Sequence, residues 1–430
     1  MGGFTVGILS VNMKIVHLAK IDLQGGAARA AYRLHKGLQS VGHESFMLVA
    51  SKSGDDPSVI AIDRPMDLMS RMRRGLGQYR IAQDFRHYRN SRPAGYELFS
   101  DDRSEYASTL LSQIPACDII NLHWVSGLLA YDAFFARIPQ SKPVVWTLHD
   151  MNPFTGGCHY NLGCGRYVDH CGACPQLGSS DETDLSHQIW RRKKGIFSRV
   201  PPSRLRIVTP SRWLAEEVSR SPILGKFPVT IIPYGLNVRD FAPQNRTSVR
   251  NLLGIPQDAK VVLFLAELAD SRRKGFALLA QALTRSAELV PKLSLVSLGH
   301  NKPLMQLQIP WLHLGSLNND RFLSMVYSLA DLFVICSLQD NLPNTVLEAM
   351  ACGVPAVGVA VGGIPDMIRH GVNGLTVPAD PTALCSAICD LLNGTGKREA
   401  MSAMCRRIAV EEYSLELQAQ RYSEVYKSLI

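Results

Sequence analysis

The stretch SLQDNLPNTVLEAMACG, residues 337–353, sets two carboxylates, Asp340 and Glu348, eight positions apart with Pro343 between them. An acid in a loop can accept hydrogen bonds from sugar hydroxyls, and one in the first turns of a helix can hold a ribose diol. Between them, the amides of Asn344, Thr345 and Val346 stand where a helix start leaves backbone donors unpaired, which suits a phosphate. A second candidate, DSRRKGF at 270–276, places Arg272, Arg273 and Lys274 directly before another helix start. Cations there oppose the helix dipole. With the free amides they form a diphosphate site, so the local cost points to an anionic ligand.

Two weaker signals lie in the first half. Gly25 and Gly26 sit between a strand and a helix, where glycines let amides approach a phosphate or sugar. Their spacing is not that of a dinucleotide fingerprint, and a ligand-free turn reads equally well. His149 ends the apolar run VVWTLHD, and His123 ends IINLHW in the same way. A histidine at a strand's carboxyl edge can bond a sugar hydroxyl or polarise a leaving group. A core histidine bonded to backbone is the plainer reading for His123. For His149 the adjacent Asp150 and a glycine-containing loop favour a site.

These residues need a frame, and the chain supplies one. Short apolar runs alternate with amphipathic stretches throughout, the pattern of parallel α/β sheets. The first series runs KIVHLA, FMLVA, CDIINLHW, PVVWTLHD, RIVTPS and VTII; the second runs VVLFLAE, LSLVSLG, WLHLGS, DLFVICS and PAVGVAVGG. Two doubly wound halves joined through PYGLNVRDFAP predict a cleft between them, with ligands beyond the carboxyl ends of the strands. The candidate residues all fall at those ends. After the last strand, VGGIPDMI repeats the arrangement of strand, glycine pair and helix.

At 430 residues the chain is long enough for two or three domains. Its composition, 46% hydrophobic and 19% charged, is that of a globular protein, and no apolar run approaches the roughly 18 residues of a membrane span. The fold is expected to begin at Met13, with residues 1–12 as an extension that does not read as a signal peptide, and the expected location is cytoplasmic. The net charge of +9 is concentrated locally. Residues 71–92 interleave Arg71, Arg73, Arg74, Arg80, Arg86, Arg89 and Arg92 with Leu76, Tyr79, Ile81, Phe85 and Tyr88. That pattern suits a helix lying on anionic lipid at the inner face of the membrane, or a solvated face. A second basic run is Arg191, Arg192, Lys193 and Lys194. No nucleic-acid-binding motif accompanies either.

Taken together, the chain resembles glycosyltransferase family 4, the retaining, nucleotide-sugar-dependent enzymes of the GT-B fold. The resemblance covers residues 13–430 and is most specific over DLFVICSLQDNLPNTVLEAMACGVPAVGVAVGGIPDMIRHGVNGLTVPAD, 331–380. It implies two Rossmann-like domains facing a central cleft: 13–235 on the acceptor side, 236–410 binding the nucleotide sugar, and a helix over 411–430 returning to the first domain. Asp340 matches the acid that contacts the donor sugar, Glu348 the ribose ligand, Lys274 the diphosphate lysine, Gly26 the N-terminal glycine loop, and His149 a histidine near the donor sugar. Two departures stand out. Asp340 replaces a glutamate, and the arginine usually several residues before Lys274 is absent in register, leaving Arg272 or Arg273 to supply that charge.

The segment at 156–178 resembles an insertion in the branch that makes colanic acid, capsule and O-antigen. Its spacing, Cys158-x5-Cys164-x6-Cys171-x2-Cys174, supports a structural four-thiolate zinc site, with His159 and His170 as alternative ligands and reduced thiols or disulfides as other outcomes. No catalytic metal is expected, since Lys274, a neighbouring arginine and helix N-termini can neutralise the departing diphosphate. The implied activity is retaining transfer of a hexose or deoxyhexose from a nucleoside diphosphate sugar to a saccharide or lipid-linked saccharide acceptor, in surface polysaccharide biosynthesis. Rival readings are a nucleotide-sugar epimerase, a glycan phosphorylase and a non-catalytic glycan- or partner-binding scaffold.

Overall fold

The computed structural model describes residues 12–64, 67–107, 109–268 and 271–430. The expected N-terminal extension therefore lies, except for Asn12, outside the described residues, as does Asp270.

The first sheet contains β1 (Lys14–Ile21), β2 (Glu44–Ser51), β3 (Val59–Ala61), β4 (Ile119–Leu122), β5 (Val144–Thr147), β6 (Leu205–Thr209) and β7 (Val229–Ile231), in the order β3-β2-β1-β4-β5-β6-β7. The second contains β8 (Lys260–Leu265), β9 (Leu293–Leu298), β10 (Trp311–His313), β11 (Leu332–Ile335), β12 (Ala356–Val359) and β13 (Gly374–Val377), in the order β10-β9-β8-β11-β12-β13. Every strand pairing is parallel. Parallel strands covered on both faces must be apolar almost throughout. The central β4, β5, β11 and β12 are buried at each position. β3 and β13 are short edge strands whose sequences carry no run long enough to stand out.

The helices of the first half are α1 (Gly26–Ser40), α2 (Leu68–Arg86), α3 (Tyr131–Arg137), α4 (Leu185–Ser198) and α5 (Arg212–Ser219). Those of the second are α6 (Arg246–Leu252), α7 (Phe276–Ser286), α8 (Asp320–Leu329), α9 (Asn344–Ala351), α10 (Ile364–Met367), α11 (Pro381–Asn393), α12 (Thr395–Glu412) and α13 (Leu415–Lys427). α13 crosses back to the first sheet: Ala419, Tyr422 and Tyr426 pack with Ile15, Leu34, Ile119 and Val145. There the Tyr426 hydroxyl accepts from Asn121 Nδ2 at 2.8 Å and that of Tyr422 meets Thr147 Oγ1 at 3.0 Å. The strand order reverses between β1 and β4 in one sheet and between β8 and β11 in the other. These switch points open crevices at the carboxyl ends of the strands, where ligands bind in such sheets.

α2 differs from the other long helices in burying none of its residues fully. Ser70, Arg74, Ile81 and Phe85 line its half-buried face, whereas Met69, Met72, Leu76 and Tyr79 form a stripe on the exposed face, 52–64% accessible. The second basic run is, by contrast, largely structural. Lys193 is buried with its ammonium donating to the carbonyls of Asn152 and Thr155, and Arg192 pairs with Asp101 and Asp102.

Candidate functional site

Two adjoining cavities occupy the cleft. One, about 240 Å³, is lined by Gly25, Gly26, Gly299, His300, Leu317 and Glu348 among others. The larger, about 430 Å³, is lined by His149, Tyr160, Tyr234, Arg273, Lys274 and Asp340 among others. Gly26, Glu267, Asn344 and Thr345 belong to both walls. The starts of α1 and α9 thus stand at the junction, where Asn344 Nδ2 donates to the Gly26 carbonyl at 2.9 Å.

Those two helix starts lack the side-chain caps that several other helices carry. Asp184 on α4, Ser211 on α5 and Asn319 on α8 each satisfy a first-turn amide with a side-chain oxygen. At α1 and α9 the capping positions are Gly25 and Pro343; no side chain caps either helix, and neither has an acid in its first turn. Backbone donors and a partial positive charge are left facing the junction. Val346 is an exception to the sequence expectation. Its amide bonds the Pro343 carbonyl at 3.1 Å and its side chain lies in the core, so only Asn344 and Thr345 of the three line the cavities.

The cations come from a 3₁₀ turn, Arg272–Lys274, after β8. Its closing residue, Gly275, has φ 68°, and a Cβ there would meet the Cys336 carbonyl at 2.0 Å. This contact fixes the turn against the end of β11, beside the Asp340 loop. Lys274 Nζ lies 2.8 Å from Asp340 Oδ2, and Arg273 Nη1 lies 3.2 Å from it. Arg273 also donates to the Gln339 carbonyl at 2.8 Å, stacks 4.0 Å from the Tyr160 ring centroid and sits 2.8 Å from Glu97. The Glu97 contact is an ion pair whose Nε–H is not aimed at the oxygen. Arg272 is exposed and lines neither cavity. Of the two candidate replacements for the absent arginine, Arg273 is the one in the cleft.

Asp340 is buried, and Lys274 followed by Arg273 holds its carboxyl far below the usual range despite desolvation. Its Oδ2 is taken by the two cations and Ser337, while Oδ1 accepts from the Asn341 amide at 3.1 Å. Its first role in this arrangement is to hold the cation pair. Beneath the loop, Gly362 at φ 56° would put a Cβ 1.9 Å from the Asp340 carbonyl. The second glycine pair is therefore a support for the Asp340 loop.

Glu348 is buried and lines the smaller cavity. Its Oε1 accepts from Arg33 of α1 and its Oε2 from Tyr327 of α8, each at 2.8 Å. A carboxylate has about four lone-pair sites, so capacity remains for a diol. Neither Arg33 nor Tyr327 carries a local sequence signal, since each lies on a helix face that reads simply as amphipathic.

His149 reaches the cavity wall with both nitrogens occupied: Nδ1 by Tyr234 Oη at 2.7 Å and Nε2 by His123 at 3.1 Å. Burial pushes it down to about 4. Asp150 is bonded to His159 at 2.6 Å and to Trp124 at 2.8 Å. His159, an alternative zinc ligand by sequence, is committed to Asp150 and Ser100, and the half-buried His170 pairs with Asp169. Cys158, Cys164, Cys171 and Cys174 line one small apolar cavity of about 20 Å³ as free thiols. Gly156 N–H donates to Cys171 Sγ at 3.2 Å. Among the described residues, no three His, Cys, Asp or Glu side chains are grouped closely enough to hold a metal ion as they stand.

Comparison with known proteins bears on the family and on the fold. Residues 259–394 match the family described as "Glycosyl transferases group 1". A D-inositol 3-phosphate glycosyltransferase of Thermobispora bispora is 29% identical over 327 residues, 72% of this chain and 70% of that protein. The N-acetyl-alpha-D-glucosaminyl L-malate synthase of Bacillus anthracis is 25% identical over 200 residues, 45% of this chain and 52% of that protein. Among solved structures, sucrose-phosphate synthase from Thermosynechococcus elongatus has a TM-score of 0.67 at 19% identity, over 97% of this chain and 99% of that one. Anabaena Alr3699/HepE in complex with UDP-glucose has a TM-score of 0.66 at 16% identity, over 97% and 100%. These two structural likenesses bear on the fold alone. The sequence relatives are named for inositol phosphate and malate, so the agreement is with the family and not specifically with the colanic-acid and O-antigen branch. Residues 259–394 thus match the group 1 glycosyltransferases, and over its length the chain is similar to glycosyltransferases and has the two-domain GT-B fold.

Proposed function

We propose that the cleft binds a nucleoside diphosphate sugar and transfers its hexose or deoxyhexose, with retention, to a saccharide acceptor. The observation that carries this reading is the convergence at one junction of two uncapped helix starts and the Arg273–Lys274 pair, with Glu348 in the adjoining cavity. The nucleoside occupies the smaller cavity with its ribose at Glu348, the diphosphate spans Gly26 and Asn344–Thr345, and the sugar enters the larger cavity. As the glycosidic bond breaks, charge develops on the departing diphosphate. Lys274, Arg273 and the helix amides are already aimed there, which stabilises the transition state without reorganisation. In this reading these groups, and no divalent ion, neutralise the leaving group. The cysteine loop is proposed to close around a structural zinc ion, which its thiol set suits once the sulfurs draw together.

We further assign the acceptor to surface polysaccharide synthesis, carried on a lipid, and the site of action to the cytoplasmic face of the membrane. The exposed Met69, Met72, Leu76 and Tyr79 stripe, flanked by Arg71, Arg73 and Arg80, supports contact with anionic lipid. The chain leaving α2 reaches Glu97 and Leu98, which line the larger cavity, so a membrane-held acceptor would lie close to the reacting carbon. Incubation with radiolabelled UDP-, GDP- and dTDP-sugars tests the reaction. A glycosylated acceptor of unchanged anomeric configuration is expected; an epimerised sugar, or cleavage that needs phosphate, would refute transfer. Flotation with phosphatidylglycerol vesicles tests the surface, and Leu76→Asp is expected to abolish it.

A further inference from the structure

Three histidines from adjacent strands form a single buried row ending at the cleft. His17 on β1 meets His123, just past β4, through Nδ1 and Nε2 at 2.8 Å. His123 Nδ1 meets His149 Nε2 at 3.1 Å, and His149 Nδ1 meets the Tyr234 hydroxyl at 2.7 Å. Tyr234 belongs to the segment crossing between the two sheets. At the other end, His17 Nε2 is buried and, among the described residues, has no partner. Among the described residues, the Tyr234 hydroxyl has no hydrogen-bond partner other than His149.

Counting protons leaves two arrangements. Burial keeps all three imidazoles neutral, so each carries one N–H. Each of the three bonds needs exactly one proton, so the row points one way or the other as a unit. If Tyr234 donates inward, every ring is protonated on Nε2 and His17 strands an N–H in a dry core. If the row donates outward, every ring is protonated on Nδ1 and His17 strands only a lone pair. Among buried backbone groups, orphaned donors are rarer than under-satisfied acceptors, and the same preference is applied to the ring nitrogen. The outward direction also leaves the Tyr234 proton free at the wall of the cavity that Lys274 and Asp340 line from the other side.

We infer that the histidine row points outward and that Tyr234 donates its hydroxyl proton to a hydroxyl oxygen of the bound sugar. His149 is then a positioning residue, and Tyr234 is the group on this wall that touches the sugar. A neutral donor suits an uncharged hydroxyl, whereas the cations across the cavity suit the diphosphate. The sugar contact rests on the nucleotide-sugar reading of the cleft; the direction of the row does not.

The test has two arms, both on the full chain. With histidine labelled in nitrogen-15, long-range proton–nitrogen correlation of the ligand-free protein is expected to show Nδ1–H on His17, His123 and His149. Nε2–H on these rings would overturn the direction. In the second arm, affinities for UDP and GDP and for their sugars are compared between the wild type and Tyr234→Phe. The variant is expected to bind the nucleoside diphosphate as before and to lose about tenfold in affinity for the nucleotide sugar, the scale of one hydrogen bond. Equal loss for both ligands, or no loss for either, would overturn the sugar contact. Binding of no nucleotide sugar by the wild type would also overturn that contact, while an Nδ1–H pattern would still uphold the direction of the row.

Discussion

The two walls of the cleft solve opposite problems. The wall from the second sheet is built from ion pairs: Asp340 pairs with Arg273 and Lys274, and Glu348 with Arg33. The wall from the first sheet adds a neutral element, a buried row in which His17, His123, His149 and Tyr234 share protons, alongside the carboxylates Asp150 and Glu97. A nucleotide sugar has the same division, with an anionic diphosphate on one side and uncharged hydroxyls on the other. In the proposed binding mode, charge would be concentrated where it develops on the diphosphate, and directional neutral groups would orient the sugar.

The largest expected effect breaks the charged wall. Lys274→Ala should lower kcat by about 10² to 10³-fold, as loss of one preorganised charge donor does. Arg273 stays on Asp340 in that variant, so an unchanged circular dichroism spectrum should accompany the loss. Activity within a few-fold of wild type would mean that the diphosphate does not lie there.

Glu348→Gln should be next. It leaves Arg33, which is buried, with only Asp320 at 3.5 Å, and breaking such a buried pair costs about 3–5 kcal/mol. Thermal unfolding should shift down and nucleotide affinity should fall. Arg33→Met separates the two effects: it also destabilises, but it keeps the carboxylate for the ribose.

Acid distinguishes the walls in a third way. His149 is pushed down from 6.5 to about 4 by burial, and His17 and His123 are lowered by the same cause. The unfolded chain therefore binds more protons than the folded one as pH falls from 6.5 towards 4, and stability is lost across that window. Asp340 is lowered from 3.8, so its own contribution is lost only at still lower pH. Melting temperatures between pH 7 and 4 should fall while the pairs of Asp340 are still intact.

The smallest effect is expected from metal removal. EDTA should leave the transfer rate unchanged, and plasma emission analysis should find one zinc per chain if the cysteine loop closes as proposed. Absence of zinc would remove that proposal without touching the cleft.

The charged wall was largely legible because its parts are local. Lys274 and Arg273 share one turn, and Asp340, Asn344 and Glu348 share one loop and helix. What the local pattern concealed were partners supplied from afar. Arg33 reaches Glu348 across 315 positions, and His17 reaches His123 across 106. Strand order β1-β4-β5 makes neighbours of His17, His123 and His149, and nothing in their spacing announces it. His123 looked like a core histidine, and it is one, but it links His149 to His17 in the row. Val346 and Arg272 were named for their positions in motifs, yet a backbone bond to Pro343 and a tight 3₁₀ turn direct them elsewhere.

Calorimetric titration of the wild type and Lys274→Ala with UDP, GDP and dTDP, each beside its nucleoside, bears most directly on the assignment. The wild type should bind at least one nucleoside diphosphate far more tightly than the corresponding nucleoside, and Lys274→Ala should lose most of that difference. Failure to bind any of the three, or equal binding by wild type and variant, would contradict a nucleotide-sugar cleft.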